Sequence, residues 1–309
     1  MSEISVLDPP AGVRKKAIRP RRRTRPWIAL GFLAPFFVPF VLFYVAPVAY
    51  AVVQSTQVVK RVGGVFGTQV TQFGGLAQYR AVFTNDDFWS GIVRVVAFGL
   101  VQVPIMMGVA LLLALVLDSR ATRGGRFFRL VYFLPFAVPG VIAAIMWGSL
   151  LDPATSPFYR AGLHIDFLGP GYVFAAIANV GVWTYAGSNT VILVAALTAV
   201  PREVFDAARI DGAGALRIAR SIKIPLVRPA IVFSAILNVI GTLQLITEPK
   251  VFQSLTSQIT SGYTPNMLAY NAASADQYGF AAVVSVVMTV VTFIASFGFL
   301  RFVQNRGQR

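Results

Sequence analysis

The sequence predicts an all-α membrane protein with six transmembrane helices and both termini on the cytoplasmic side. Three observations carry this. Of 309 residues, 56% are hydrophobic and only 13% are charged, about half the charged share of a globular chain. The apolar residues gather in six long runs, and the basic residues gather between alternate runs. So much apolar residue cannot be hidden in one soluble core of this size. The same arithmetic excludes a disordered or fibrous chain.

A helix needs about 20 apolar residues to cross a bilayer. The runs at 27–53, 89–117, 130–151, 172–200, 229–247 and 280–302 meet that length. They are continuously apolar rather than alternating, so no β-barrel pattern competes. The first run is too long for the 7–15-residue core of a signal peptide and reads as a retained helix. Trp27 and Trp89 open their runs, where interfacial aromatics belong. Pro35, Pro39, Pro47, Pro104, Pro135 and Pro139 lie inside the first three runs. They predict kinks, either around a cavity or as ordinary bends.

The net charge of +15 at first suggests nucleic acid. Its placement suggests topology instead. With the N-terminus inside, segments 1–26, 118–129, 201–228 and 301–309 hold 8, 4, 6 and 3 Lys or Arg, which is 21 of 27. Segments 54–88, 152–171 and 248–279, outside, hold 3, 1 and 1, and Arg94 lies near the outer end of the second run. This asymmetry orients the chain. Arg21, Arg22 and Arg23 read as a positive-inside anchor, with a nucleic-acid tail as the rival. The domain reading is a basic tail (1–26), a six-helix domain (27–303) and a short C-terminal tail (304–309).

Zero cysteines exclude a disulfide scaffold, a thiol nucleophile and a zinc–thiolate site. His164 is the one histidine, expected solvated in an outside loop. No metal site and no catalytic residue is expected. The outside loop 54–88, with Gly63, Gly64, Gly67, Gly74 and Gly75, reads as a connector over the outer mouth. No internal repeat stands out, so an inverted-repeat transporter gains no support.

Segment 201–228 is too well made for a connector. Pro201 suits a first helical turn, and Glu203 and Asp206 suit the positive end of a helix. Val204, Ala207, Ala208 and Asp211 fall on neighbouring turns. Gly212 permits a bend. A second amphipathic helix is expected over 213–222, with Leu216, Ile218, Ala219 and Ile222 apolar against Arg217 and Arg220. Pro225 and Pro229 then re-enter the membrane. An amphipathic helix lying on lipid is the alternative, but the small-residue face suits close approach by a protein.

These residues resemble the permease subunits of binding-protein-dependent ABC importers. That family carries Glu-Ala-Ala, three residues, Gly, nine residues, Ile, one residue, Leu-Pro before its last two helices. Here Asp206-Ala207-Ala208 precedes Gly212 at that spacing, and Ile222, Lys223, Ile224 and Pro225 follow. Asp206 stands where Glu is usual, and Ile224 where Leu is usual. The run Ala207–Ala213 is similar to the carbohydrate importers of the maltose and glycerol-phosphate type. So are Phe73–Tyr79 with Phe88-Trp89, Phe127-Phe128-Arg129 with Phe133-Leu134-Pro135 and Trp147, and Gly279–Ser285. The third-run pattern and Asp152-Pro153 resemble the first of the two permease subunits.

The resemblance implies the type I permease fold in a prokaryotic inner membrane. It implies a second permease, two ATPase subunits and an extracytoplasmic solute-binding protein as partners, with a sugar as cargo. No cofactor is expected on this chain: ATP and Mg²⁺ belong to the ATPase, and no Gly-x4-Gly-Lys-Ser/Thr run is present. Loop 201–225 would dock an ATPase through Glu203, Asp206, Ala207, Ala208, Asp211, Gly212, Ile222 and Pro225.

Polar groups inside apolar spans are candidates for the solute path. They are Gln102, Asn179, Trp183, Tyr185, Ser188, Asn189, Asn238, Thr242, Gln244 and Glu248. Helix–helix hydrogen bonding explains Asn and Gln equally well. The same architecture could instead move a polyamine or glycerol phosphate. A secondary transporter would need buried ion-coupling acids, and Glu248 is the one acid near a span interior, expected at the outer end of its helix. A membrane-embedded enzyme would need clustered acids or histidines at membrane depth, and none appears.

Overall fold

The computed structural model describes residues 26–62, 68–118 and 125–307. The basic tail through Arg25, the glycines at 63, 64 and 67, and residues 119–124 lie outside the described residues. Among the described residues, five helices are long and apolar enough to cross a membrane, and a sixth span is a pair of segments bent by 94°.

The first unit of the chain, residues 1–49, contributes α1 (Pro26–Phe40), a π-helical turn (Val41–Val45) and the start of α2 (Ala46–Ser55). The π turn has a local cause. Pro47 has no N–H to offer the carbonyl of Phe43, and Ala46 N–H reaches back to Val41 O, one residue further than in an α-helix.

The second unit, residues 50–309, holds the rest. The glycine-rich connector expected at 54–88 holds a strand pair and one short helix. β1 (Gln57–Val62) pairs antiparallel with β2 (Thr68–Phe73), in register Gln57 to Phe73. The β-branched valines and threonines of both segments suit this pairing. α3 (Ala77–Phe83) follows, and Tyr79 Oη lies 2.9 Å from Ser55 Oγ.

α4 (Asp86–Leu117) starts at Asn85, whose side chain accepts a bond from Phe88 N–H at 3.0 Å. Asp86 and Asp87 favour the same helix end electrostatically. Its buried stripe runs through Phe88, Val95, Phe98, Gln102, Met106, Ala110 and Leu117, at helical spacing. This stripe packs on α8 (Val173–Thr198) and α11 (Ile224–Leu243), making α4 the central post.

The third span is not the single helix expected over 130–151. α5 (Gly125–Phe133) passes into a 3₁₀ turn (Leu134–Ala137), and α6 (Gly140–Leu151) leaves at a new angle. Val138 is extended with ψ 125°, as a residue before proline prefers. Pro139 then caps α6. α5 crosses α8 closely: a Cβ on Gly187 would collide with the carbonyl of Tyr132. Small residues let membrane helices approach in this way.

α7 (Pro157–Arg160) lies between spans, and exposed His164 stacks edge-on against Tyr159. α9 (Arg202–Ile210) and α10 (Ala215–Ile218) form the loop expected to dock a partner. The second helix expected over 213–222 is not separate. α10 continues through a π turn (Ala219–Lys223) straight into α11. α12 (Thr247–Phe252), α13 (Pro265–Ser274) and α14 (Tyr278–Gly307) complete the unit. α14 extends through residues 304–307, expected to be tail.

Three apolar clusters hold these helices. One surrounds Phe98, Ile177, Phe252 and Met267, a second surrounds Met107, Leu193, Leu197 and Val227, and a third joins Val82 and Phe88 to Val283 and Val284. Leu100, Ile142 and Ile294 stay exposed on spanning helices, as lipid-facing side chains require.

Candidate functional site: a polar cavity and a docking loop

Two broken spans meet at a cavity of about 420 Å³, within the usual range of small-molecule pockets. The first break is the 3₁₀ turn that carries Phe136. The second is residues 244–246, between α11 and α12. Irregular backbone within a span is tolerated where it is buried in protein or lines a cavity, and here both conditions apply. The carbonyls freed by the second break find side-chain donors nearby. Thr264 Oγ1 donates to Leu245 O at 3.0 Å, and Asn266 Nδ2 donates to Leu243 O at 3.2 Å. α12 then packs on α6, so the two breaks brace each other.

Eight of the ten candidate path residues line this cavity: Gln102, Tyr185, Ser188, Asn189, Asn238, Thr242, Gln244 and Glu248. Gly181, Tyr185, Ser188, Asn189 and Ile192 form its wall on α8, one stripe at 3- and 4-residue spacing. Asn179 and Trp183 fall outside it. Each is two residues from Gly181, about 160° round the helix at 100° per residue. Trp183 packs in the first apolar cluster, its ring 6.0 Å from that of Trp147. Phe136, which the sequence reading missed, closes another side, with its ring 6.1 Å from Tyr185.

The polar lining is partly internally bonded. Asn238 Nδ2 donates to Asn189 Oδ1 at 2.9 Å and to Ser234 O at 2.8 Å. Asn189 Nδ2 donates to Tyr185 O at 2.8 Å, and Thr242 Oγ1 donates to Asn238 O at 2.8 Å. Glu248 is 8% exposed. It lies not at the outer end of a continuous helix but just past the break, in the first turn of α12. A larger groove of about 820 Å³ runs along α14 and shares Gln244 and Ile246 with the cavity. It is more open than the cavity, and its wall is apolar to a similar degree. Among the described residues, no three acids or histidines come together as a metal would need.

Beside the N-terminal turns of α4, Arg94 Nη1 donates to Tyr263 O at 2.6 Å, and its guanidinium lies 4.4 Å from the Tyr263 ring centre. Burial pushes the Tyr263 phenol up, and the arginine charge works against that shift.

In loop 201–225, Pro201 precedes the first turn of α9 as its cap. Gly212 has φ +81°. Its N–H bonds Arg209 O at 3.0 Å, and Ala213 N–H bonds Ala208 O at 2.9 Å. These two bonds close α9 as a Schellman motif, which needs the left-handed residue that glycine supplies. Phe205 is buried, Ala207 is exposed, and Ile210 and Leu216 are 87% and 82% exposed. Arg209 Nη1 lies 2.6 Å from Asp206 Oδ1, so Asp206 is paired within its own helix. Glu203, Asp211 and Pro225 are exposed, and Ala208 and Ile222 half-buried.

A sequence profile described as binding-protein-dependent transport system inner membrane component matches residues 108–308. The chain belongs to this family and is a permease component. Its curated relatives include the diacetylchitobiose uptake system permease of Streptomyces coelicolor, 28% identical, covering 93% of this chain and 86% of that one. The lactose transport permease of Rhizobium radiobacter is 28% identical over 90% of this chain and 94% of its own length. The sn-glycerol-3-phosphate transport permease of Agrobacterium fabrum is also 28% identical, with 89% and 94% covered. Among solved structures, a chain of a bacterial alginate ABC transporter, in complex with alginate pentasaccharide-bound periplasmic protein, superposes with a TM-score of 0.77. That match covers 92% of this chain and 96% of the other at 17% identity, and it establishes the type I permease fold.

Proposed function

We propose that this permease forms, with a second permease, the path for a sugar released by an extracytoplasmic binding protein. The observation that carries the reading is the cavity. Eight polar residues from α4, α8 and the broken α11–α12 span converge there, with Phe136 and Tyr185 offering aromatic faces. A sugar needs both, because its ring has polar edges and an apolar face. The names of the diacetylchitobiose and lactose relatives favour the same cargo.

Loop 201–225 docks one of two ATPase subunits, which hold ATP and Mg²⁺; this chain carries no catalytic residue. Exposed Ile210 and Leu216 supply apolar contact, Ala207 and Ala208 close approach, and Gly212 the turn. Glu203, Asp206 and Asp211 present charge, while Ile222 and Pro225 set the return into α11. The loop and both termini face the cytoplasm, as the distribution of basic residues favours.

Reconstitution with the second permease, ATPase and binding protein tests this. ATP hydrolysis should rise with a sugar of the matching class and not without the binding protein. Uptake that persists when the ATPase is omitted overturns the reading in favour of a secondary transporter. The glycerol-phosphate relatives supply the second reading, a non-sugar solute.

A further inference from the structure

Among the described residues, Glu248 is the one charged residue in the cavity lining. Lys250, two residues on, turns away: its Nζ bonds Gln253 Oε1 at 3.2 Å and Asn271 Oδ1 at 3.0 Å. Among the described residues, no Lys, Arg or His lines the cavity. Among the described residues, no other side chain bonds the Glu248 carboxylate, while Asn189, Asn238 and Thr242 are already engaged with neighbours. A carboxylate accepts hydrogen bonds and donates none. It can take two adjacent hydroxyls of one ring or an ammonium group. It repels a phosphate or a uronate strongly, because little water screens charges in such a site.

We propose that Glu248 makes the cavity selective by charge: it takes a carbohydrate without acidic groups and excludes anionic solutes. This rests on the solute-path reading above.

The absence of cysteine provides a direct test. Ser188→Cys puts one thiol in the cavity wall. In the assembled importer turning over ATP, that thiol is offered a cationic and an anionic methanethiosulfonate of matched size. The thiolate attacks the sulfenyl sulfur, a mixed disulfide forms and methanesulfinate leaves. Labelling of this chain is followed by mass, and each rate is divided by that on a free thiol. The cationic reagent should react at least about tenfold faster. Adding Glu248→Gln should bring the ratio to within about threefold of one, and Glu248→Asp should keep the preference. Equal rates with Glu248 intact overturn the inference and leave the path reading standing. A preference unchanged by Glu248→Gln overturns the assignment to this residue. No labelling by either reagent overturns the solute path and the inference together.

Discussion

Lys223 Nζ lies 2.6 Å from Asp118 Oδ2, and the two side chains are 12% and 13% exposed. The pair ties the π turn at Ala219–Lys223 to the end of α4, across 105 positions of sequence. Lys223 also lies 5.4 Å from the ring centre of Phe205, the buried anchor of α9. Three segments therefore meet at one ammonium.

Removing one partner leaves a largely buried charge unpaired, which costs up to about 3–5 kcal/mol. Asp118→Ala and Lys223→Ala should each lower the ATPase subunits that copurify with the permease by several-fold. Lys223→Arg should restore most of the loss. Unchanged copurification by both alanine variants would show that the pair does not position the loop.

Gly212→Asp should uncouple ATP hydrolysis from transport while the protein still inserts. A Cβ at Gly212 meets no atom within 4 Å, so the fold bears only the left-handed backbone cost, about 1–2 kcal/mol. The carboxylate would instead face the docked ATPase. Normal uptake at normal abundance would sink this assignment.

The Asn189–Asn238 pair separates stability from transport. Asn238→Ala leaves Asn189 Oδ1 without its donor and should destabilise the domain by about 1–3 kcal/mol. A double change to leucine removes both polar groups and should cost less stability than the single change, while still lowering uptake. Thermal unfolding in detergent, read beside uptake, checks the ordering.

Gly187 and Gly181 should differ sharply. A Cβ at Gly187 meets the Tyr132 backbone, whereas one at Gly181 meets the flexible end of Gln102. Gly187→Ala should cost about 1–3 kcal/mol, the usual price of overpacking. Gly181→Ala should leave the melting temperature nearly unchanged and instead alter uptake by pushing Gln102 within the cavity. Equal melting losses would contradict the close crossing of α5 and α8.

Most of the fold was legible because membrane spans announce themselves by length and apolarity. The break in the third span was half legible: Pro135 and Pro139 marked a kink, but not a 94° turn. The break at 244–246 was not. No proline lies within it, and its freed carbonyls are met by Thr264 and Asn266, about 20 residues away. The hairpin was not legible because the glycines between its strands read as a flexible connector, while the pairing rests on the valines and threonines on either side. Polar residues inside apolar runs were readable one by one, but their joint placement needed the helix faces. Helical angle alone separates Asn179 and Trp183 from Tyr185 and Ser188. Phe136 carried no signal, since an aromatic in an apolar run resembles any other core residue.

The helical path from Ala215 to Leu243 spans about 42 Å at 1.5 Å per residue. One end adjoins α9, and the other is the lip of the cavity. Where such a path moves as one rod it converts angle into distance: a tilt of about 5° at the base displaces the lip by roughly 3–4 Å, given this rise per residue. The π turn at Ala219–Lys223 and Pro229 lie within the path and are the places where such a tilt would be passed on or absorbed.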